Sequence, residues 1–148
     1  MPNTPALVGE AVTAICPNAN ITDGEKQEIV ELIASFGLAQ IVSEKIMDAV
    51  IAVSGSSPAY VFMFIEAMAD AAVAEGMPRV QAYQFAAQSV LGSAKMVLET
   101  GKHPGELKDM VCSPSGTTIE AVKVLEEKGF RSSIIEAMSA CADKSRNM

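Results

Sequence analysis

Apolar positions fall into two regimes along the chain. Before about residue 44 they come in short alternating runs; from Glu44 onward they recur at helical spacing with few pauses. "EAVTAIC" (Glu10 to Cys16) alternates as a short strand and stops at the "PNAN" turn. In "TDGEKQEIVELIASFG", Thr22 and Glu25 stand at capping-box spacing. Ile29, Leu32, Ile33 and Phe36 then share one helical face, and Gly37 supplies the stop. "LAQIVS" is strand-like again. The first ten residues, punctuated by proline and glycine, are expected to be extended or turn. Residues 1–43 therefore read strand, helix, strand, which is too little for a stable domain. The pattern fits the edge of a sheet whose other strands lie elsewhere. Both strands are expected to expose unpaired edges and to exchange amide hydrogens quickly or pair between chains.

Beyond Glu44 the pattern predicts helices separated by Gly and Pro. "EKIMDAVIAV" is a short helix that "SGSSP" should end. Ser57 is the expected cap and Pro58 the expected first-turn residue of a helix reaching Gly76. Pro78 opens a long helix to Gly101, and Pro104 opens a third, "GELKDMVC". "TIEAVKVLEEKG" and "FRSSIIEAMSACADKSR" complete a mainly α chain with a strand–helix–strand prefix. The stretch "AYVFMFIEAMADAAVAEG" is apolar on most faces but carries Glu66, Asp70 and Glu75, and is too short to span a bilayer. Burial by neighbouring helices or a second subunit is expected, not a membrane.

Composition narrows the function classes. The chain has 148 residues, 49% hydrophobic, without tryptophan, so one domain packed largely by Ala, Met and Val is expected. A net charge of -7 and the lack of any basic stripe exclude nucleic acid as a partner. Cys16, Cys112 and Cys141 are odd in number and widely spaced, which reads as free thiols in a reducing, cytoplasmic compartment. No metal-ligand spacing connects them to His103, the single histidine, and no metal site is expected.

Two loops carry the candidate chemistry: "SGSSP" (Ser54 to Pro58) and "SPSGTT" (Ser113 to Thr118). Both are expected to open onto a helix N-terminus, where unpartnered N–H groups and the macrodipole favour a carboxylate or phosphate. Gly116 permits close backbone approach, while Ser113, Thr117 and Thr118 offer hydroxyls. No lysine follows the glycine as in a P-loop, and a well-capped helix is the plainer explanation of either loop. From chemistry alone the reading stops at a possible anion site.

The strings "MPNTPA", "MDAVIAVSGSSPAYVF", "LETGKHP" and "VCSPSGTTIEAVKVLEEKGFR" together resemble pyrroline-5-carboxylate reductase, the last enzyme of proline synthesis. The likeness runs the length of the chain in matching order. It implies that residues 1–43 are the tail of an NAD(P)-binding domain and that residues 44–148 are a helical dimerisation and substrate-binding domain. It implies an oxidoreductase that reduces 1-pyrroline-5-carboxylate to L-proline with NADPH or NADH, working as a homodimer or higher oligomer.

By that resemblance, backbone N–H groups near Gly116 and Thr117, with the Ser113 hydroxyl, hold the substrate carboxylate. Thr118 hydrogen-bonds the ring nitrogen and is the catalytic candidate. Two positions depart from the family pattern: Ser57 and Ser115 stand where "SGSGP" and "SPGG" glycines are expected. A positive φ at either would make serine there cost on the order of 1 kcal/mol.

No glycine-rich fingerprint follows a strand in these residues, so the cofactor site is expected upstream of Met1 and the chain alone is expected to be inactive. The alternative is a non-catalytic helical dimerisation or small-carboxylate-binding module. Other candidates have plainer readings. Glu66 and Asp70 lack the His partner of a metal motif; His103 caps the helix after it; Cys112 lacks an activating neighbour. Met47, Met63, Met68, Met77 and Met96 pack a core or an interface. Lys95 and Arg131 are solvated surface cations.

Overall fold

A computed structural model describes all 148 residues. Its elements are β1 (Ala11–Ile15), α1 (Asp23–Ala34), β2 (Gly37–Ile41), α2 (Met47–Val50), α3 (Ser57–Ala74), α4 (Arg79–Thr100), α5 (Pro104–Val111), α6 (Thr117–Glu127) and α7 (Phe130–Arg146). The fold is mainly α, with one strand–helix–strand element at its start. Two compact units form: Met1–Val61 with Ile135–Met148, and Phe62–Ile134.

In the first unit, β1 and β2 pair in parallel with Ala11 opposite Gly37 and Ile15 opposite Ile41, joined through α1. The capping box forms as the spacing predicts: the Glu25 N–H donates to Thr22 Oγ1 (3.3 Å), and the Thr22 N–H donates to Glu25 Oε2 (2.8 Å). Gly37 has a different job from the helix stop expected of it. Its φ is +149°, and a Cβ there would lie 2.2 Å from the Ala11 carbonyl oxygen, so glycine is what lets β2 start against β1. The expectation of two open edges is corrected for β1. The Val12 N–H donates to Asn3 Oδ1 (3.0 Å), and the Ala14 N–H donates to the Met1 carbonyl (3.0 Å). β2 keeps the open edge, with Leu38 and Ile41 exposed.

The helical run Glu44–Ala74 corrects a second expectation, because "SGSSP" does not end a helix. A 3₁₀ turn (Glu44–Ile46) leads into α2, a π turn (Ile51–Gly55) follows, and the chain passes directly into α3. Proline has no N–H and its ring crowds the carbonyl four residues back, so Pro58 cannot sit in an unbroken α-helix. The extra residue of the π turn, where the Ser56 N–H reaches the Ile51 carbonyl (2.9 Å), absorbs that conflict. Ser57 is no cap either, since its hydroxyl donates back to the Val53 carbonyl (2.7 Å). By length and composition this 31-residue run is long and apolar enough to cross a membrane, further than the expectation for its second half.

In the second unit the buried core is Ala69, Ala82 and Ala86, with Ile65, Met68, Ala72, Val73 and Met77 packed against it. Alanines on facing turns let α3 and α4 approach closely, but small side chains bury little apolar area. Arg79 pairs with Asp70 across the turn between the helices and lies 5.6 Å over the Tyr83 ring. Phe64 and Phe130 meet at 6.1 Å between ring centroids. Gly101 (φ +64°) ends α4 in the left-handed conformation, and His103 Nδ1 accepts from the Gly105 N–H (3.0 Å) to cap α5.

Candidate functional site

α5 ends at Val111 and α6 begins at Thr117, and the five residues between them reverse the chain. The Gly116 N–H donates to the Ser113 carbonyl (3.0 Å), closing a four-residue turn. Pro114 occupies its second position and Ser115 its third, with φ +57°. Proline followed by a positive φ defines a type II turn, whose third position normally takes glycine. Ser115 is the one non-glycine residue of the chain with positive φ. At Ser57 no such strain exists, because it lies in helical backbone. Of the two departures from the family pattern, only Ser115 carries a conformational cost, on the order of 1 kcal/mol.

Gly116 is needed for a different reason. Its backbone is extended (φ -78°, ψ 169°), so any residue could adopt the angles. A Cβ there would sit 2.3 Å from Ser113 Oγ and 3.1 Å from the Ser113 carbonyl oxygen. The serine side chain thus folds over the glycine at the start of α6. Gly116 is the N-cap of α6 and has no side chain to cap it. Its own N–H is used by the turn, which leaves the N–H groups of Thr117, Thr118 and Ile119 without intrahelical partners. Ser113 and Thr117 are exposed and Thr118 is half-buried. The structure therefore brings Ser113, Gly116, Thr117 and Thr118 to one helix end. Gly116 contributes the space its missing Cβ leaves, not its N–H.

Such an end attracts an anion through three convergent donors and the partial positive charge of the helix. Lys108, one turn before the loop, pairs with Asp109, whose hydrogen bond raises the Lys108 pKa. The other cations considered from the sequence are engaged locally: Lys95 with Glu99 (3.4 Å) and Arg131 with Glu126 (2.7 Å). Cys112 is half-buried and free. Next to the loop, Met96, Val97, Leu107, Met110 and Val111 line an open groove of about 410 Å³. No group of three or more His, Cys, Asp or Glu side chains converges as a metal site would require.

The second loop is not a site of this kind. The π turn consumes its amides, as the Ser56–Ile51 bond illustrates, and no free helix N-terminus opens at Pro58. Nor does the turn after β1 have the glycine-rich pattern of a pyrophosphate-binding turn. The turn after β1 holds Pro17 and no glycine before Gly24, which is already inside α1, so no backbone comes close to a pyrophosphate as a glycine-rich turn would. Sequence reasoning missed Asn3 and the π turn; the prolines of "MPNTPA" and "SGSSP" were the only signals.

Pyrroline-5-carboxylate reductase of Escherichia coli (strain K12) is 64% identical over all 148 residues, and that of Methanosarcina acetivorans 50%. The chain spans about half the length of the curated relatives it matches, 55% in both of these. Among solved structures, the Plasmodium falciparum pyrroline carboxylate reductase with NADP bound superimposes with a TM-score of 0.93 at 36% identity. That match covers 99% of this chain and 59% of that one. A family model described as pyrroline-5-carboxylate reductase dimerisation matches residues 44–148. With more than two thirds of its residues under that match, the chain belongs to the pyrroline-5-carboxylate reductase dimerisation family.

Proposed function

We propose that this chain is the dimerisation and substrate-carboxylate half of a pyrroline-5-carboxylate reductase. The activity is reduction of the C=N bond of 1-pyrroline-5-carboxylate to give L-proline, with NADPH or NADH as reductant. Residues 1–43 are the tail of the nucleotide-binding domain and residues 44–148 the dimerisation and substrate domain. The nucleotide is held mainly by residues outside this chain, which alone does not oxidise NADPH. The names of the relatives, one of them solved with NADP, support the reaction and the cofactor class.

The observation that carries the reading is the type II turn that folds Ser113 over Gly116 at an uncapped helix end. A small ring carboxylate accepts from the Thr117 and Thr118 N–H groups and the Ser113 hydroxyl. Its favourable interaction with the helix end is about 0.3–1 kcal/mol when exposed and more when enclosed. The Thr118 hydroxyl hydrogen-bonds the ring nitrogen and fixes which face of the C=N carbon meets the reductant. Orientation is then the protein's main contribution, and no acid–base pair is required.

A homodimer, or a higher oligomer built from it, completes the fold. Phe62 (60%), Phe85 (67%) and Leu98 (79%) are exposed on α3 and α4, whose shared core buries only alanines. Burying each such side chain fully contributes about 1.5–3 kcal/mol. A second subunit covers the apolar run through α3 better than a bilayer does, because Glu66 and Asp70 lie exposed on that helix. Three free thiols fit a reducing cytoplasm. The strained Ser115 is the observation that favours the second reading, a binding module that no longer catalyses.

L-Proline titrated into the chain and followed by calorimetry tests the site. Saturable binding that disappears in Thr118→Ala and returns in Thr118→Ser supports it. No saturable binding at millimolar ligand removes it.

A further inference from the structure

We infer that Asn3 is a two-ended clamp that locks β1 to the π turn within the first unit. The inference is independent of the reductase reading. At one end, Asn3 Oδ1 accepts from the Val12 N–H at 3.0 Å and closes the outer edge of β1. At the other, Asn3 Nδ2 donates to the Ser54 carbonyl at 3.2 Å. That carbonyl is available for a specific reason. In an α-helix it would accept from the N–H of residue 58, and residue 58 is proline. Ser54 is buried, so an orphaned carbonyl there would carry the cost of an unmade hydrogen bond. The Asn3 carboxamide supplies the missing donor from 51 residues away.

Two features of the sequence thus become one device. "MPNTPA" provides the clamp and "SGSSPAY" the gap it fills. Only a carboxamide serves both ends, because one end needs an acceptor and the other a donor. The boundary near residue 44 is consequently a pinned joint and not a free linker.

Amide hydrogen exchange on the full chain tests this with three substitutions. Asn3→Ala removes both ends, and exchange at Val12 and Ser56 should quicken by about tenfold or more. Asn3→Asp keeps an acceptor for Val12 but sets an oxygen against the Ser54 carbonyl. Val12 should then stay within about threefold of the parent while Ser56 opens about tenfold. Pro58→Ala restores an N–H for the Ser54 carbonyl, so Asn3→Asp made in that background should change Ser56 by less than about threefold. Equal effects of Asn3→Asp in both backgrounds would overturn the clamp, as would unchanged exchange in Asn3→Ala. Should Asn3→Ala fail to fold, the Asn3→Asp pair with and without Pro58→Ala still decides.

Discussion

The segments Ser54–Pro58 and Ser113–Thr118 share serine, glycine and proline and do opposite things. In the first, proline comes last, after helix has already formed, and the backbone continues through a π turn into α3. In the second, proline sits second in a turn, a left-handed serine follows, and the chain reverses before a new helix begins. One segment bonds its polar groups within the helical run, with Asn3 taking the carbonyl that Pro58 leaves free. The other leaves three N–H groups facing outward. The position of proline relative to glycine, more than the composition, decides whether a helix end stays open to a ligand.

Alanine at the two glycines should separate the segments most strongly. In Gly116→Ala the new Cβ would meet Ser113 Oγ at 2.3 Å, displacing the hydroxyl. L-Proline affinity should fall by at least about tenfold, the worth of one charge-assisted hydrogen bond. In Gly55→Ala the nearest atom is Ile51 Cγ2 at 4.0 Å, so affinity should change little and stability should rise by about 0.5–1 kcal/mol. Calorimetry on the pair checks this.

Glycine at the two serines should give opposite signs. Ser115→Gly relieves a positive φ and should stabilise by about 1 kcal/mol. Ser57→Gly loosens a helix and should destabilise by about 0.5–1 kcal/mol. Urea denaturation of both variants reads the difference. No stabilisation in Ser115→Gly would mean that the positive φ at Ser115 carries no strain.

The smallest expected effect compares a capped helix end with the uncapped one. Bonds from the Thr22 backbone and hydroxyl hold the Glu25 pKa below its ordinary 4.5. The contribution of that capping box is therefore fully present above pH 4.5 and lost as the pH falls through the lower, folded value. Protection of the first amides of α1, relative to their intrinsic exchange rates, should fall over that window, while that of α6, which no carboxylate caps, should not follow the same titration.

Local features were legible in the sequence where their causes are local. Thr22 with Glu25, His103 before Pro104, and Gly101 after a long apolar helix each bond within a few residues, and each formed as the spacing predicts. The turn at Pro114–Ser115 was legible as a condition: a glycine-like position filled by serine. The rest depends on partners far along the chain. Gly37 answers to the Ala11 backbone, which no helix-stop rule contains. Pro58 reads as a helix start because proline favours first turns. The π turn that accommodates it is paired with an asparagine 51 residues earlier. Exposure of the apolar residues on α3 and α4 is likewise invisible in a hydrophobic pattern, which marks what wants burial and not what buries it.

An amide chemical-shift titration with L-proline addresses the central claim most directly, because it reads both Ser-Gly segments in one experiment. Saturable shifts at Thr117, Thr118 and Ile119, with Ser54 to Ser57 unmoved, are the predicted result. Shifts confined to the π turn, or none at either segment up to millimolar ligand, would contradict the carboxylate cradle at the start of α6.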